Sequence, residues 1–250
     1  MVARVLRTLQ SYAPFIRPAK FAAYNMATRM LGWRIEPDFE LLSRLESVGL
    51  VLDVGANWGQ SIHAFKRTAR PDRIVSFEPN PILGARLQRV MRGDPRVQIE
   101  QCALGEMPGR FELYVPRYRN YVYDGLASLS EEAARAWLNP ERMAAFDPAK
   151  LSIDRFEVEV RTLDSYGFSP DVVKIDVQGF ELEVVKGGRV TFRRSRPITI
   201  VETPPPELVA LLAELDMHPY RWTGSELVPN DLGGLNTLFL DSRRRAALKL

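Results

Sequence analysis

Four acidic residues close four apolar runs: Asp53 in LVLDV (50–54), Glu78 in RIVSFE (73–78), Asp176 in DVVKID (171–176) and Glu202 in PITIVE (197–202). In an open parallel sheet, ligands bind in the crevice outside the carboxyl ends of the strands. Runs of this kind therefore place four carboxylates around one crevice. Such a rim repels a pyrophosphate and attracts a cation. The first run continues as LVLDVGANWGQS, a turn whose glycines are Gly55 and Gly59, with Asn57 where a dinucleotide fingerprint has its middle glycine. No Gly-Lys-Ser/Thr follows, so a P-loop is absent. S-adenosylmethionine carries a sulfonium, an ammonium and one carboxylate but no phosphate, and it satisfies these constraints. Gly55 and Gly59 would let the backbone approach its methionine part. Glu78 lies 19 residues after Gly59, the spacing at which an acid holds ribose hydroxyls. NAD would use the same spacing, but the missing middle glycine and the other acids favour the methyl donor.

The elements that must position these residues follow from periodicity. VQIEQC (97–102) joins the four runs as a strand, and QSIHAFKRTA, NPILGARLQRVMR, FELEVVKG and PPELVALLAEL have helical spacing. Continuous apolar strands suit a parallel sheet covered by helices on both faces. HPYRW (218–222) and NTLFLD (236–241) form an antiparallel pair at one end of it. Residues 105–162 break the rhythm with GRFELYVP, RYRNYVYDGLASLS, EEAARAWL and FEVEVRTL, which predict an inserted hairpin or edge strands and a long cap loop.

Composition narrows the remaining classes. The chain has 250 residues, 46% hydrophobic and 26% charged, with a net charge of +3, too weakly basic to imply nucleic acid. One cysteine, Cys102, and two histidines, His63 and His218, exclude an internal disulfide and a His-rich metal site. No run is long enough to span a membrane, and Arg4, Arg7, Pro14 and Arg17 interrupt any secretory signal. A cytoplasmic protein is expected. Residues 1–35 carry Arg4, Arg7, Arg17, Lys20, Arg29 and Arg34 and no acid, among apolar residues that include Leu6. Pro14 and Pro18 divide this stretch into two helices. Residues 1–47 are expected to form a basic helical appendage packed on the main domain or on a second subunit, or lying on an anionic membrane surface. The main domain would run from 48 to 241, with a basic tail at 242–250.

The motifs VLDVGANWGQS, SFEPNP, CALG, TLDSY and VVKIDVQGFELEVVKGG, followed by ITIVE, resemble the FkbM family of S-adenosylmethionine-dependent methyltransferases over residues 48–240. Family members typically read KIDVEGxE where this chain has KIDVQGFE, so Gln178 departs from a carboxylate at that position. The resemblance implies an α/β class I methyltransferase fold, Rossmann-like, with a mostly parallel seven-stranded sheet whose last strand is antiparallel. It also implies O-methyl transfer, often to a hydroxyl of a sugar or polyketide natural product. By residue, it implies that Asp53, Gly55, Asn57 and Gly59 hold the methionine portion, that Glu78 holds the ribose, and that Gln101 and Cys102 border the adenine. Ser61 lines the loop or serves the helix N-terminus.

An alcohol acceptor needs a base or a metal ion. Neither histidine is well placed, which leaves the carboxylates. Asp176 is the leading base or ligand and Glu202 its partner, acting directly or by jointly binding a divalent cation such as magnesium. Glu181 is a supporting candidate near the next helix. Tyr118, Tyr121 and Tyr123, with Arg117, Arg119 and Trp58, would supply contacts to a sugar or glycosylated small molecule, or would be ordinary loop packing. Two rival functions remain: a nicotinamide-dependent oxidoreductase on the same fold, and a non-catalytic membrane-surface or scaffold protein.

Overall fold

The computed structural model describes residues 2–32 and 37–249. Arg34 and the side chain of Leu6 lie outside what is described. The chain opens with α1 (Val2–Gln10) and α2 (Arg17–Leu31), joined by a short 3-10 turn at Pro14–Ile16. Pro18 stands in the first turn of α2, where its missing N–H costs nothing. A second 3-10 segment, Pro37–Arg44, buries Phe39, Leu41 and Leu42 in the same core cluster as the first strand of the sheet.

The main domain then alternates: β1 (Leu50–Val54), α3 (Gln60–Thr68), β2 (Arg73–Phe77), α4 (Pro81–Met91) and β3 (Val97–Glu100). Asn80 caps α4 by accepting from the N–H groups of Ile82 and Leu83, ahead of Pro81 at the first helical position. The insertion contributes β4 (Ala103–Leu104), β5 (Gly109–Tyr118), β6 (Tyr121–Val122), α5 (Glu131–Ala136) and β7 (Leu151–Arg161). After it come β8 (Val172–Ile175), α6 (Glu181–Lys186), α7 (Arg189–Ser195), β9 (Ile198–Glu202), α8 (Pro206–Glu214), β10 (His218–Trp222), β11 (Leu227–Pro229), β12 (Asn236–Leu240) and α9 (Ser242–Ala247).

The main sheet has the order β11-β10-β12-β9-β8-β1-β2-β3. Strands β9, β8, β1, β2 and β3 are mutually parallel, and β12 runs antiparallel to both β9 and β10. The sheet therefore has eight strands rather than seven. The loop between HPYRW and NTLFLD folds back as β11 and adds an edge strand to β10. Alternation along the strands sends Val51, Ile74, Val172 and Ile198 into a core with Ile62, Phe65 and Leu87. Leu52, Val75, Val173 and Val201 enter the opposite core, with Val184, Phe192 and Leu212.

The insertion builds a separate four-stranded sheet, β4-β7-β5-β6. It is dominated by a long antiparallel pairing that runs from Gly109↔Val160 to Tyr118↔Leu151. Its own small core contains Tyr118, Tyr121, Tyr123, Leu138 and Met143. The hairpin folds over the carboxyl ends of β1, β2 and β8.

Candidate active site

Two cavities meet at the top of the sheet. The first, of about 610 Å³, is lined by Gly55, Asn57, Phe77, Glu78, Cys102 and Asp176 from the main domain and by Asp124, Ser128 and Leu129 from the cap. The second, of about 1000 Å³, is lined by Gln178, Glu181, Glu202, Trp137 and Arg142, among others. Gln178 lines both.

The glycine turn is shaped by what lies above it. Gly55 has φ 90°, and a Cβ there would overlap the Asp176 carbonyl oxygen on the neighbouring loop. Only glycine fits. Asn57 follows in a left-handed conformation, φ 49°, and its Oδ1 is buried with no partner. A buried acceptor without a donor is costly, so this atom suits an ammonium or hydroxyl supplied by a ligand. Glu78 closes β2 with one carboxylate oxygen accepting from the Asn57 N–H (2.7 Å) and the other from the Asn80 N–H (2.9 Å). Burial pushes its carboxyl up to about 7, against these two hydrogen bonds and with help from the charges of Asp124 and Asp53.

Asp176 ends β8. Burial opposes its ionisation, but the Lys174 ammonium and hydrogen bonds from Glu202 and Gln178 outweigh that and hold its carboxyl at about 2. Lys174 Nζ lies 3.0 Å from Asp176 Oδ2, and Gln178 Nε2 donates to Asp176 Oδ1 (2.8 Å) and to Glu202 Oε2 (3.2 Å). The departure from the family's acidic residue is thus an amide that ties two carboxyl groups together. Magnesium does not fit here. Both oxygens of Asp176 already hold donors, one of them a buried cation that would repel a second. Among the described residues no group of three histidine, cysteine or acidic side chains is arranged to hold a metal ion.

Several expected site residues lie elsewhere. Alternation puts Asp53 on the α3 face of β1, opposite Ser76 and Lys174 on the neighbouring strands. Its carboxylate accepts from Ser61 (2.7 Å) and Ser76 (3.2 Å) beneath the turn and does not line the cavity. Ser61 is occupied by that bond. Gly59, φ 86°, lets α3 start against Leu87 of α4. Gln101 is exposed and donates to the Pro81 carbonyl, whereas Cys102 does line the cavity, 3.3 Å from the Tyr166 hydroxyl. Glu181 lines the second cavity, but its carboxylate accepts from the N–H groups of Val177 and Gly179, so it shapes the loop that carries Gln178.

The tyrosine cluster is packing. Tyr118, Tyr121 and Tyr123 fill the cap core because the small four-stranded sheet of the insertion needs its own apolar face buried. Arg117 pairs with Asp154, and Arg119 stands over Tyr12. Trp58 is buried beneath α2, stacked on Phe21 at 4.7 Å, and donates its indole N–H to Asp124 (3.1 Å). Among the cap residues that reach the cavities, Asp124 in the first and Trp137 and Arg142 in the second carry side chains able to bind a ligand. Trp137 and Arg142 lie within and just after EEAARAWL, where one tryptophan and two nearby arginines in the insertion were the available signal.

An acid-rimmed cavity over a glycine turn at the carboxyl edge of a Rossmann-like sheet is the frame of a class I methyltransferase. The chain belongs to the methyltransferase FkbM domain family, which it matches over residues 53–221. Among curated proteins it is similar to 2-O-methyltransferase NoeI of Sinorhizobium fredii (strain NBRC 101917 / NGR234), 26% identical over 63% of this chain and 65% of that protein. It is also similar to Methyltransferase 1 of Beauveria bassiana (strain ARSEF 2860), 25% identical over 55% of this chain and 57% of that one. The chain thus spans less than two thirds of either relative. A solved FkbM methyltransferase from Methylobacillus flagellatus KT aligns with a TM-score of 0.47 and 18% identity, covering 93% of this chain and 59% of that one. Fibrillarin from Aeropyrum pernix, solved with natively bound S-adenosyl-L-methionine, aligns with a TM-score of 0.38 and 15% identity, covering 88% and 75%.

Proposed function

We propose that the protein transfers a methyl group from S-adenosylmethionine to a hydroxyl of a sugar, glycan or glycosylated small molecule. The observation that carries this is the meeting of two cavities at Gln178, which donates to Asp176 on the first and to Glu202 on the second. The first cavity suits the methyl donor. Glu78 has lone pairs left for ribose hydroxyls, Asn57 Oδ1 awaits a donor, and Gly55 lets backbone come close. Once bound, the donor supplies an electrophilic methyl on a sulfonium. The chain contributes alignment and a proton acceptor. Asp176, kept ionised by Lys174, accepts a hydrogen bond from the acceptor hydroxyl and takes its proton as that oxygen gains positive character. A carboxylate held this low is a weak base, but an oxygen already forming its new bond is strongly acidic. Trp137 and Arg142 in the second cavity offer a stacking surface and donors for a polyhydroxylated acceptor. The resemblance to a protein named 2-O-methyltransferase favours oxygen as the methylated atom.

The nicotinamide alternative is disfavoured by Asp124, a further carboxylate on the first cavity with its side chain only 5% exposed, where a pyrophosphate would need to sit. Titration calorimetry with S-adenosylhomocysteine tests the assignment. Wild-type protein should bind it, and Glu78→Ala should bind at least about tenfold more weakly, the loss of one charged hydrogen-bond acceptor. Thermal stabilisation by NAD and none by the methyl donor would reverse the conclusion.

A further inference from the structure

We propose that a basic cavity at the opposite edge of the sheet binds the phosphate of an anionic lipid headgroup, and that the exposed apolar residues at the end of α2 beside it seat the chain on an anionic membrane surface. This cavity, of about 1280 Å³, lies where α2, α3 and α4 all end. Because α3 and α4 run back along their strands, it sits at the amino edge of the sheet, away from the crevice. Arg29, Lys66, Arg67, Arg70 and Arg96 line it, with His63 and a lone carboxylate, Asp94. Asp94 is already committed to Lys66 (2.9 Å) and Arg96 (3.1 Å). Arg29, Arg67 and Arg70 are exposed and carry no hydrogen bond or ion pair among the described residues.

Cations at helix carboxyl ends have an ordinary explanation, since they offset the macrodipole. Three such ends supply about half a negative charge each. With Asp94 they leave a surplus of about two and a half positive charges on this cavity, more than helix capping requires. A phosphate group satisfies that surplus.

The adjoining surface identifies the source of the phosphate. Arg29 lines the cavity, and the next two residues, Met30 and Leu31, are 68% and 80% exposed. Met26 continues the stripe one turn back along α2. Residues 2–32 contain five basic residues and no acid. Exposed apolar residues beside unpaired arginines match the boundary between headgroups and acyl chains. A second copy of the chain is the poorer occupant, because a two-fold contact on this face would bring Arg29, Arg67 and Arg70 towards their own counterparts.

The test is flotation of the full chain with vesicles of phosphatidylcholine alone and with vesicles of equal parts phosphatidylcholine and phosphatidylglycerol. Binding should appear only with the second. It should fall about 25-fold in the double variant Arg29→Gln/Arg70→Gln, about fivefold per cation removed near an anionic surface. Met30→Glu should weaken it as well. Both arginines are exposed at helix ends, and an unchanged thermal midpoint shows that the variant folds. Failure to float, or equal flotation on both vesicles, overturns the proposal. So does thermal stabilisation by inorganic phosphate without flotation, which would assign the cavity to a free phosphate compound. A lipid-free dimer that Met30→Glu dissociates would assign the face to self-association instead.

Discussion

Glu78 stands at the end of β2 on the first cavity, and its environment gives it a pH signature. Its folded carboxyl titrates near 7 because burial outweighs its two backbone hydrogen bonds. A group raised in this way contributes stability that is fully present below its unfolded value near 4.5 and lost as pH rises through 7, a loss of about 3 kcal/mol. His63 slopes the other way. Burial, with Lys66 and Arg29 nearby, lowers it to about 4, so its contribution falls as pH drops from 6.5 towards 4. The two windows overlap and oppose each other in the wild type. Glu78→Gln should unmask the His63 slope, so that urea-unfolding stability rises from pH 4.5 to 7 in the variant more steeply than in the wild type. Parallel profiles would show that Glu78 does not titrate in this range. At the neighbouring site, Gln178 takes the place of the carboxylate suggested by the family pattern and donates to both Asp176 and Glu202. This removes a repulsion that three acids within reach of one another would suffer.

Among the elements, the turn after β1 is the most constrained. Gly55 passes directly beneath the Asp176 carbonyl, joining the ends of β1 and β8. Gly55→Ala combines a steric overlap with a left-handed φ, and should destabilise the fold by at least about 2 kcal/mol while abolishing donor binding. Denaturant midpoints and calorimetry measure the two effects. A variant that bound normally would mean the turn can move without disturbing the cavity. The cap hairpin works at the same scale. Its tyrosines brace β5 and β6, and Ser128 donates to the Gln178 carbonyl at 2.8 Å, so the cap holds the very loop that joins the two cavities.

Across the whole molecule, the amino-terminal helices are part of the site's architecture. From α1, Arg7 donates to the Arg142 carbonyl and Thr8 to that of Ala144, both in the cap, while Asn25 of α2 donates to the Trp58 carbonyl in the glycine turn. Arg17 pairs with Asp124 at 3.3 Å, and Asp124 accepts from the Trp58 indole while lining the first cavity. Appendage, cap and turn are therefore pinned at one carboxylate. Asp124→Ala leaves the Trp58 indole N–H unpaired and the Arg17 guanidinium with the Val122 carbonyl but no carboxylate, and should cost about 2–3 kcal/mol in unfolding free energy and weaken donor binding. Unaltered affinity together with unaltered stability would dissolve this coupling. No helix among the described residues is long and apolar enough to cross a membrane.

The local pattern of the chain determined the strands, the order of helices between them, the glycine turn and the placement of Glu78 and Asp176 at strand ends, because period and turn chemistry are properties of neighbouring residues. Alternation within β1 already separated Asp53 from the crevice: it shares a face with Val51, which packs on α3. Only the tertiary structure decided which cap residues matter. Asp124, Trp137 and Arg142 reach the cavities, while the more conspicuous tyrosines do not, since which side of a hairpin is buried depends on what it folds against. The same holds for the three arginines at the far edge, since Arg29 reaches Arg67 and Arg70 only when α2 packs on α3.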